Sequence, residues 1–488
     1  MPDRFKKKQL TLVLFFCICF ICQCGRRDNV TTDSKDALVY YKQGEDLLAQ
    51  LYYKNALKNY LNALEIDSTF AMAALKAGII YKSFGSQDSA RYFFENANKH
   101  APSKSKIESL IIRHNWFGFT DNKVQHIATL DSLVRFYPNN FEVKILLASN
   151  KWKNLDFAGA RNIYQELLRQ NPNYIVAYNN IGYLYAREGL FKEALSYLEK
   201  YKRHASNQLN PYDSIAEIYI AIGRYYEVIN MLENIIANRQ AELIENEYIG
   251  LSIYRRIAEA YEKLGQYQKA LEIIASAEGL YSTNYAAVRI AQFRFYIFNE
   301  LDQVDRMETE IKRIRNLYPA DDYSYQCAIL NIEKMEFDDV LKTLAEMTAK
   351  IKNQSDADRY QLVKRASLEG ELNYKTGLFN EAAQQFKLAA DTFSDTLWAS
   401  NLRLKQYISE GKAGNYSAAI SRLQQIIKVN PNCPHALVNA AEFYLKLNQI
   451  GKARAYISHF QNLWKDADLG TPLINQADSI AQKLNLLH

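Results

Sequence analysis

The chain has 488 residues, 48% of them hydrophobic, with 60 Lys and Arg against 54 Asp and Glu. The first 23 residues hold four of the basic and one of the acidic residues; the 56 and 53 that remain form no basic block after Arg27, whereas a nucleic-acid binder carries a basic patch or stripe. Only 9 Pro and 18 Gly beside 35 Tyr describe a long helical chain, too long for one hydrophobic core.

The chain begins MPDRFKKK, with Arg4, Lys6, Lys7 and Lys8, followed by an apolar run from Leu10 to Cys22 broken only by Thr11. Polar sequence, GRRDNVTTDSKD, follows at once. A basic start, a short apolar centre and a processing point make a secretory leader, and the run falls short of the about 20 residues of a membrane span. The basic end stays inside, so the remainder is expected to be exported. Four of the six cysteines crowd this stretch. Cys17, Cys19 and Cys22 alternate with Phe and Ile and read as small hydrophobes, with no polar surroundings to orient them on a metal. Cys24 differs, because the apolar run ends there. The stretch Ile21-Cys22-Gln23-Cys24-Gly25 resembles a bacterial lipobox, with an aliphatic residue three before the lipidated Cys and Gln23 where a small residue is usual. That resemblance implies lipidation at Cys24, a lipoprotein-type signal over 1–23 and a polar tether over 24–36; an ordinary leader, cleaved or uncleaved, is the alternative. Cys327 and Cys433, 106 residues apart, define no disulfide framework and read as buried small hydrophobes.

From residue 37 a period near 34 sets in. The windows 37–70, 71–104 and 175–208 place Gly44, Gly78 and Gly182 at position 8, Ala56, Ala90 and Ala194 at position 20, and Tyr60, Phe94 and Leu198 at position 24. Residues 251–284 carry Tyr254, Ala258, Tyr261, Gly265, Ala270 and Ala277, and residues 363–396 carry Gly370, Gly377, Ala382, Phe386 and Ala389. Ala160, Ala419 and Ala453 mark three further units. Pro102, Pro138 and Pro172, then Pro211, Pro319 and Pro431, keep the same time, since Pro stops a helix.

This pattern resembles the tetratricopeptide repeat, a helix hairpin with small residues at 8 and 20 and bulky ones at 4, 11 and 24. Small residues let the two helices of a hairpin approach, and the bulky ones fill the gaps between hairpins. Residues 103–138 depart from it with His114 and His126 where small residues belong, and 285–350 lack the Ala and Gly signature. After Pro472, one amphipathic helix aligns Ile474, Ala477, Ile480, Ala481 and Leu484 on a face. The resemblance implies an all-α fold: a right-handed superhelical solenoid of about twelve helix hairpins with a C-terminal capping helix. Its expected parts are arrays over 37–208, 209–350 and 351–468, the second partly divergent, and a cap over 469–488.

Little in the chain reads as chemistry. It has no Walker loop, no G-x-G-x-x-G behind a strand and no H-E-x-x-H. None of the seven His pairs at i, i+4 with another His or a Cys, and His459 shares an apolar helix face with Phe460. Glu369 and Glu371 flank Gly370, and residues two apart on a helix face different ways, which makes them a poor acid–base pair. Tyr40, Tyr60, Tyr81, Tyr178, Tyr185, Tyr254 and Tyr261 fall on packing positions, so they read as core rather than as stacking platforms. No cofactor, metal, small-molecule substrate or nucleic acid is expected, and an enzyme with its site in 285–350 is the least favoured reading.

The resemblance implies a concave surface, lined by the first helix of each hairpin, that holds a partner peptide or helix. Asn179, Asn180, Tyr183 and Arg187 should line it, followed by Asp213 and Glu217, then Arg255 and Glu259. Asn180 matches the peptide-binding asparagine of the family. Ile145, Ser149, Asn210 and Ser214 stand where a carboxylate clamp would have Lys, Asn, Lys and Arg, so a chaperone-tail clamp is not expected. The expected function is a non-catalytic protein–protein scaffold or adaptor at the envelope of a Gram-negative bacterium. It would be exported and anchored through Cys24, in the outer membrane, facing the periplasm or the cell surface. The alternative is a membrane-anchored regulator or a periplasmic accessory factor for secretion, outer-membrane assembly or cell-wall enzymes.

Overall fold

The structure, a computed structural model, describes residues 30–49, 52–102, 105–317, 323–352, 359–393 and 395–486. The leader, Cys24 and Pro319 lie outside the described residues. Among those residues there are 26 helices and no strand. The chain divides into two compact units, one ending at Pro211 and one beginning at Tyr212.

The first unit contains five helix pairs. They are α1 (Lys35–Ala49) with α2 (Tyr53–Ile66), α3 (Ala71–Phe84) with α4 (Gln87–Lys99), and α5 (Lys106–Phe119) with α6 (Lys123–Phe136). Then come α7 (Phe141–Lys153) with α8 (Phe157–Gln170), and α9 (Val176–Arg187) with α10 (Phe191–His204). Ahead of α1, Thr31 donates its backbone N–H and its hydroxyl to the Glu108 carboxylate, and the Thr32 hydroxyl donates to Asp67 at 2.6 Å.

At the junction stands α11 (Asn210–Ala221), paired in sequence with α12 (Tyr225–Asn238). The short α13 (Gln240–Glu245) precedes α14 (Glu247–Lys263) with α15 (Tyr267–Leu280), α16 (Asn284–Glu300) with α17 (Val304–Leu317), and α18 (Ser324–Glu333) with α19 (Phe337–Lys352). The last pairs are α20 (Arg359–Lys375) with α21 (Phe379–Phe393), α22 (Thr396–Lys412) with α23 (Tyr416–Val429), and α24 (Pro434–Lys446) with α25 (Ile450–Leu463). The final helix, α26 (Pro472–Asn485), packs Leu473, Ala477, Ile480 and Leu484 against the last pair.

Close approach inside each pair follows from two positions. Ala56, Ala90, Ala160, Ala194, Ala270, Ala382, Ala419 and Ala453 are all 0% exposed. A methyl group placed on Gly44 would lie 2.6 Å from the Tyr60 ring, on Gly182 2.8 Å from Leu198, and on Gly370 2.7 Å from the Phe386 ring. Position 8 of the first helix therefore seats the bulky position 24 of the second, and any larger residue there would push the helices apart.

The turns inside the pairs repeat as well. In the eleven pairs from α3/α4 onward, one turn residue has positive φ: Gly85, Asp121, Leu155, Gly189, Gly223, Gly265, Asp302, Met335, Gly377, Gly414 and Asn448. The next residue donates its N–H to the carbonyl five positions back, as in Ser86 to Tyr81 and Gln449 to Tyr444. This left-handed stop satisfies carbonyls that the helix end leaves open.

The divergent stretches keep the architecture by other means. In α16 and α18 position 8 is held by Phe295 and Ala328, both fully buried, with Met307 and Val340 fully buried on the facing helices. Between α5 and α6, the rings of His114 and His126 stack with centroids 3.9 Å apart and planes 16° from parallel. Nδ1 of each ring donates to the backbone carbonyl of the other, at 3.1 and 2.8 Å. Two neutral imidazoles thus replace the small-residue contact.

Candidate functional site

The eight residues that sequence reasoning assigned to a binding face fall into two groups, one in each unit. On α9, Asn179, Asn180, Tyr183 and Arg187 are 2, 0, 7 and 3% exposed. They sit in a helix almost every residue of which is buried. The Arg187 guanidinium lies over the Trp152 ring at 5.3 Å and the Phe157 ring at 5.5 Å, so its charge is held by two aromatic faces. Among the described residues, Asn180 finds no hydrogen-bond partner for either its amide oxygen or its amide nitrogen, and Asn179 finds none for its oxygen. The hydroxyl of Ser149 on α7, 3% exposed, is likewise without one. Buried polar atoms are nearly always paired, so these three side chains on two neighbouring first helices are the outstanding feature of the unit. Asn210 is different: its amide nitrogen donates to the Tyr201 hydroxyl at 3.1 Å.

In the second unit, Asp213 and Glu217 on α11 and Arg255 and Glu259 on α14 are drawn into one network, and its centre is a residue the sequence reading passed over. Arg256 is 4% exposed. Its Nε donates to Asp213 at 3.3 Å, it pairs with Glu217, and it lies 3.6 Å from Glu259. Ser252 donates to Asp213 at 2.7 Å, and Arg255 to Glu259 at 2.8 Å. Burial alone would raise the Glu259 carboxyl, but Arg255 and Arg256 outweigh it and hold the group below its usual range. A signal for Arg256 was present in the sequence. It lies on the apolar stripe Ile249–Ile253–Ile257–Ala260 of α14, and a cation on such a stripe requires carboxylates from the neighbouring helix.

The other candidates resolve simply. Tyr60 and Tyr254 are buried; Tyr81 stacks on Phe93 at 5.2 Å, Tyr178 on His204 at 5.1 Å, and Arg161 covers Tyr185 at 4.4 Å. Glu369 pairs with Arg365 at 2.9 Å and Glu371 with Lys405, so the two carboxylates turn to different partners. His459 meets the side-chain oxygen of Asn432 at 3.3 Å. Among the described residues no group of three His, Cys, Asp or Glu is placed to hold a metal ion, and no helix is long and apolar enough to cross a membrane.

Tetratricopeptide-repeat family models match residues 145–211 and 412–459, the first of which contains Ser149, Asn179 and Asn180. No curated protein matches the chain. Among solved structures, it is similar to yeast Tom70, at 14% identity and a TM-score of 0.36 over 92% of this chain and 96% of that one. A tetratricopeptide repeat protein from Parabacteroides merdae gives 15% identity and a TM-score of 0.39 over 54% and 98%. The APC/C hetero-tetramer Cut9-Hcn1 gives 12% and 0.33 over 92% and 98%. By the two family-model matches the chain carries tetratricopeptide repeats, which generally serve as non-enzymatic platforms for protein–protein interaction.

Proposed function

We propose that this protein is a non-catalytic scaffold of the bacterial cell envelope that captures a protein partner across the first helices of its repeats. The observation that carries this reading is Asn180, fully buried with both amide atoms unpartnered, beside the buried Asn179 amide oxygen and Ser149 hydroxyl, each likewise without a partner. Leaving a buried donor or acceptor unmade costs about 1–3 kcal/mol, and a polypeptide main chain offers the amide donor and carbonyl acceptor that would satisfy such groups. Export and lipid anchoring at Cys24 complete the reading; the basic leader and the lipobox-like stretch support them.

Photo-crosslinking and pull-down of the full chain from envelopes tests the capture. Asn179→Ala with Asn180→Ala removes unsatisfied groups, so the variant should fold at least as stably as the parent while capture falls about tenfold, or ~1.4 kcal/mol. Undiminished capture would move the site elsewhere. Labelling with radioactive palmitate tests the anchor: Cys24→Ala should abolish incorporation, and equal label in both proteins ends the lipoprotein reading.

A further inference from the structure

The tether enters the first unit at one edge. Thr31 donates its N–H and its hydroxyl to Glu108, in the first turn of α5, both at 3.0 Å, and Thr32 donates to Asp67, just past the end of α2. The two helices of a pair run antiparallel, so this edge collects the ends of the second helices and the starts of the first ones. Three ring contacts mark it: Lys106 over Phe136 at 4.7 Å, Phe141 against Tyr174 at 4.9 Å, and Tyr178 on His204 at 5.1 Å. Cys24 stands seven residues before Thr31, and seven residues span at most about 25 Å. An acyl chain on Cys24 would keep this edge within that distance of a bilayer.

The same edge carries a row of cations. The helices α4, α6 and α8 have Lys99, Arg135 and Arg169 in their last turns, and α10 has Lys202 and Arg203. Lys106 joins them at the start of α5. Lys99, Lys106, Arg135, Arg169 and Arg203 are exposed, and among the described residues none of the five pairs with a carboxylate. Phe136, 54% exposed, stands in the row with Lys106 and Arg135 over its ring. Against the row stand Glu108, taken by Thr31, and Glu142 in the first turn of α7. The first pair lies outside it: α2 ends without a cation, and α1 starts with Asp36 in its first turn. At the opposite edge cations are neutralised in place, Lys151 by Asp156 at 2.7 Å and Arg161 by Glu188.

The helix dipole favours a cation at any helix end, but that would hold equally in the second unit, where α12, α15, α21 and α25 end without one. Bulk charge divides the same way. Residues 24–211 carry 25 Lys and Arg against 18 Asp and Glu, and residues 212–488 carry 31 against 35. The unit next to the anchor is basic, and the rest of the chain is acidic.

We propose that this basic edge docks on a membrane: it sits on the anionic phospholipid headgroups of the leaflet that holds the Cys24 acyl chains, with Phe136 entering the interface. The acyl chains supply affinity and the edge supplies orientation. Attraction between the row and the headgroups reaches about 8–10 Å at physiological salt, so a tether of this length brings the row into range. The bilayer as occupant rests on the anchor reading; the basic edge stands on the unpaired cations.

The test reads proximity to lipid in the full chain, with its native cysteines changed to serine and one probe cysteine carrying an environment-sensitive fluorophore. Asn139→Cys lies on the basic edge, in the loop after Phe136, and Leu190→Cys lies in a turn at the opposite edge; both positions are exposed. Vesicles are phosphatidylethanolamine alone or mixed with phosphatidylglycerol. Emission from Asn139→Cys should rise about threefold on the mixed vesicles only, fall back in high salt, and leave Leu190→Cys unchanged. Lys99→Glu, Arg135→Glu, Arg169→Glu and Arg203→Glu together should abolish the rise with the helical circular dichroism retained. The milder set, with Gln at the same four positions, should reduce it and answers the question should charge reversal unfold the unit. No rise at Asn139→Cys, an equal rise at both probes, or a rise that survives both sets overturns the proposal. Silence at Asn139→Cys with loss of envelope crosslinks in the charge-reversed chain assigns the edge to an acidic protein instead, which also overturns it. The probe works without acylation at Cys24, so a failed palmitate label and a failed probe response are separate outcomes, and neither touches capture at Asn180.

Discussion

Lys76 Nζ lies 3.3 Å from Glu45 Oε2 with 1 and 2% of the two side chains exposed, and the Tyr60 hydroxyl donates to the other carboxylate oxygen at 2.5 Å. The three residues come from α3, α1 and α2, so they tie the first two helix pairs together through a buried charge pair. Such a pair contributes little beyond an apolar replacement of similar volume, yet removing one member strands a charge. Glu45→Gln or Lys76→Met alone should each lower the stability of the first unit by about 3–5 kcal/mol in urea unfolding. The combined Glu45→Leu, Lys76→Met and Tyr60→Phe variant should recover most of that loss. Equal losses in the single and combined variants would show that packing, not charge, governs the site.

What the sequence revealed was set by distance along the chain. Gly44 with Tyr60, Gly182 with Leu198 and Gly370 with Phe386 each stand 16 residues apart within a single repeat, so one repeat displays the whole contact. The exposed-groove expectation fared differently: Asn179, Asn180, Tyr183 and Arg187 are at their predicted positions but buried. The Arg256–Asp213 pair spans 43 residues and the Gly223–Asn432 contact 209, and these depend on how successive pairs stack, which no single repeat encodes. His114 and His126 were visible only as departures from the pattern; their mutual backbone hydrogen bonds required coordinates.

The glycines of the repeat should separate by what stands opposite them. At Gly411 an added methyl group would collide with the Phe443 ring, and Gly411→Ala should cost about 1–3 kcal/mol. At Gly78 the nearest atoms are 3.2–3.3 Å away, so Gly78→Ala should cost less. Gly451, in α25, has nothing within 4 Å, and Gly451→Ala should raise stability by up to about 1 kcal/mol. Chemical denaturation of the three variants checks the order; a Gly451→Ala loss as large as that of Gly411→Ala would contradict it.

Met335 occupies the left-handed turn position with φ 61° and 69% of its surface exposed. Its Cβ strain there is about 1–2 kcal/mol, and glycine removes it while adding unfolded-state freedom of about 0.4–1 kcal/mol. Met335→Gly should therefore stabilise by several tenths to about 1 kcal/mol, and Gly189→Ala, at the same position with φ 78°, should destabilise. Thermal unfolding of both variants reports the signs, and a loss in Met335→Gly would mean that its side chain contributes packing the turn needs.

The stacked histidines predict a particular acid sensitivity. Burial, then the His126 charge and that of Lys153, pull His114 down to about 3, and burial also lowers His126. Lys82, lowered to about 8 by burial and then by Lys153, and Lys153 itself add positive charge to the same surroundings. An unfolded histidine takes up its proton near 6.5. Above that pH both states are neutral and the stack contributes in full. As pH falls from about 6.5 toward 3, the unfolded chain binds protons that the folded pair refuses, so stability declines by up to about 1.4 kcal/mol per pH unit for each fully shielded ring. Carboxylates across the chain impose their own acid loss, so the measurement is a difference. Urea midpoints of the parent and of His114→Gln with His126→Gln are compared at pH 8 and pH 5. The parent should be the more stable at pH 8, and its advantage should shrink or reverse at pH 5. Parallel pH profiles for the two proteins would mean that the rings are protonated as readily in the folded chain as in the unfolded one.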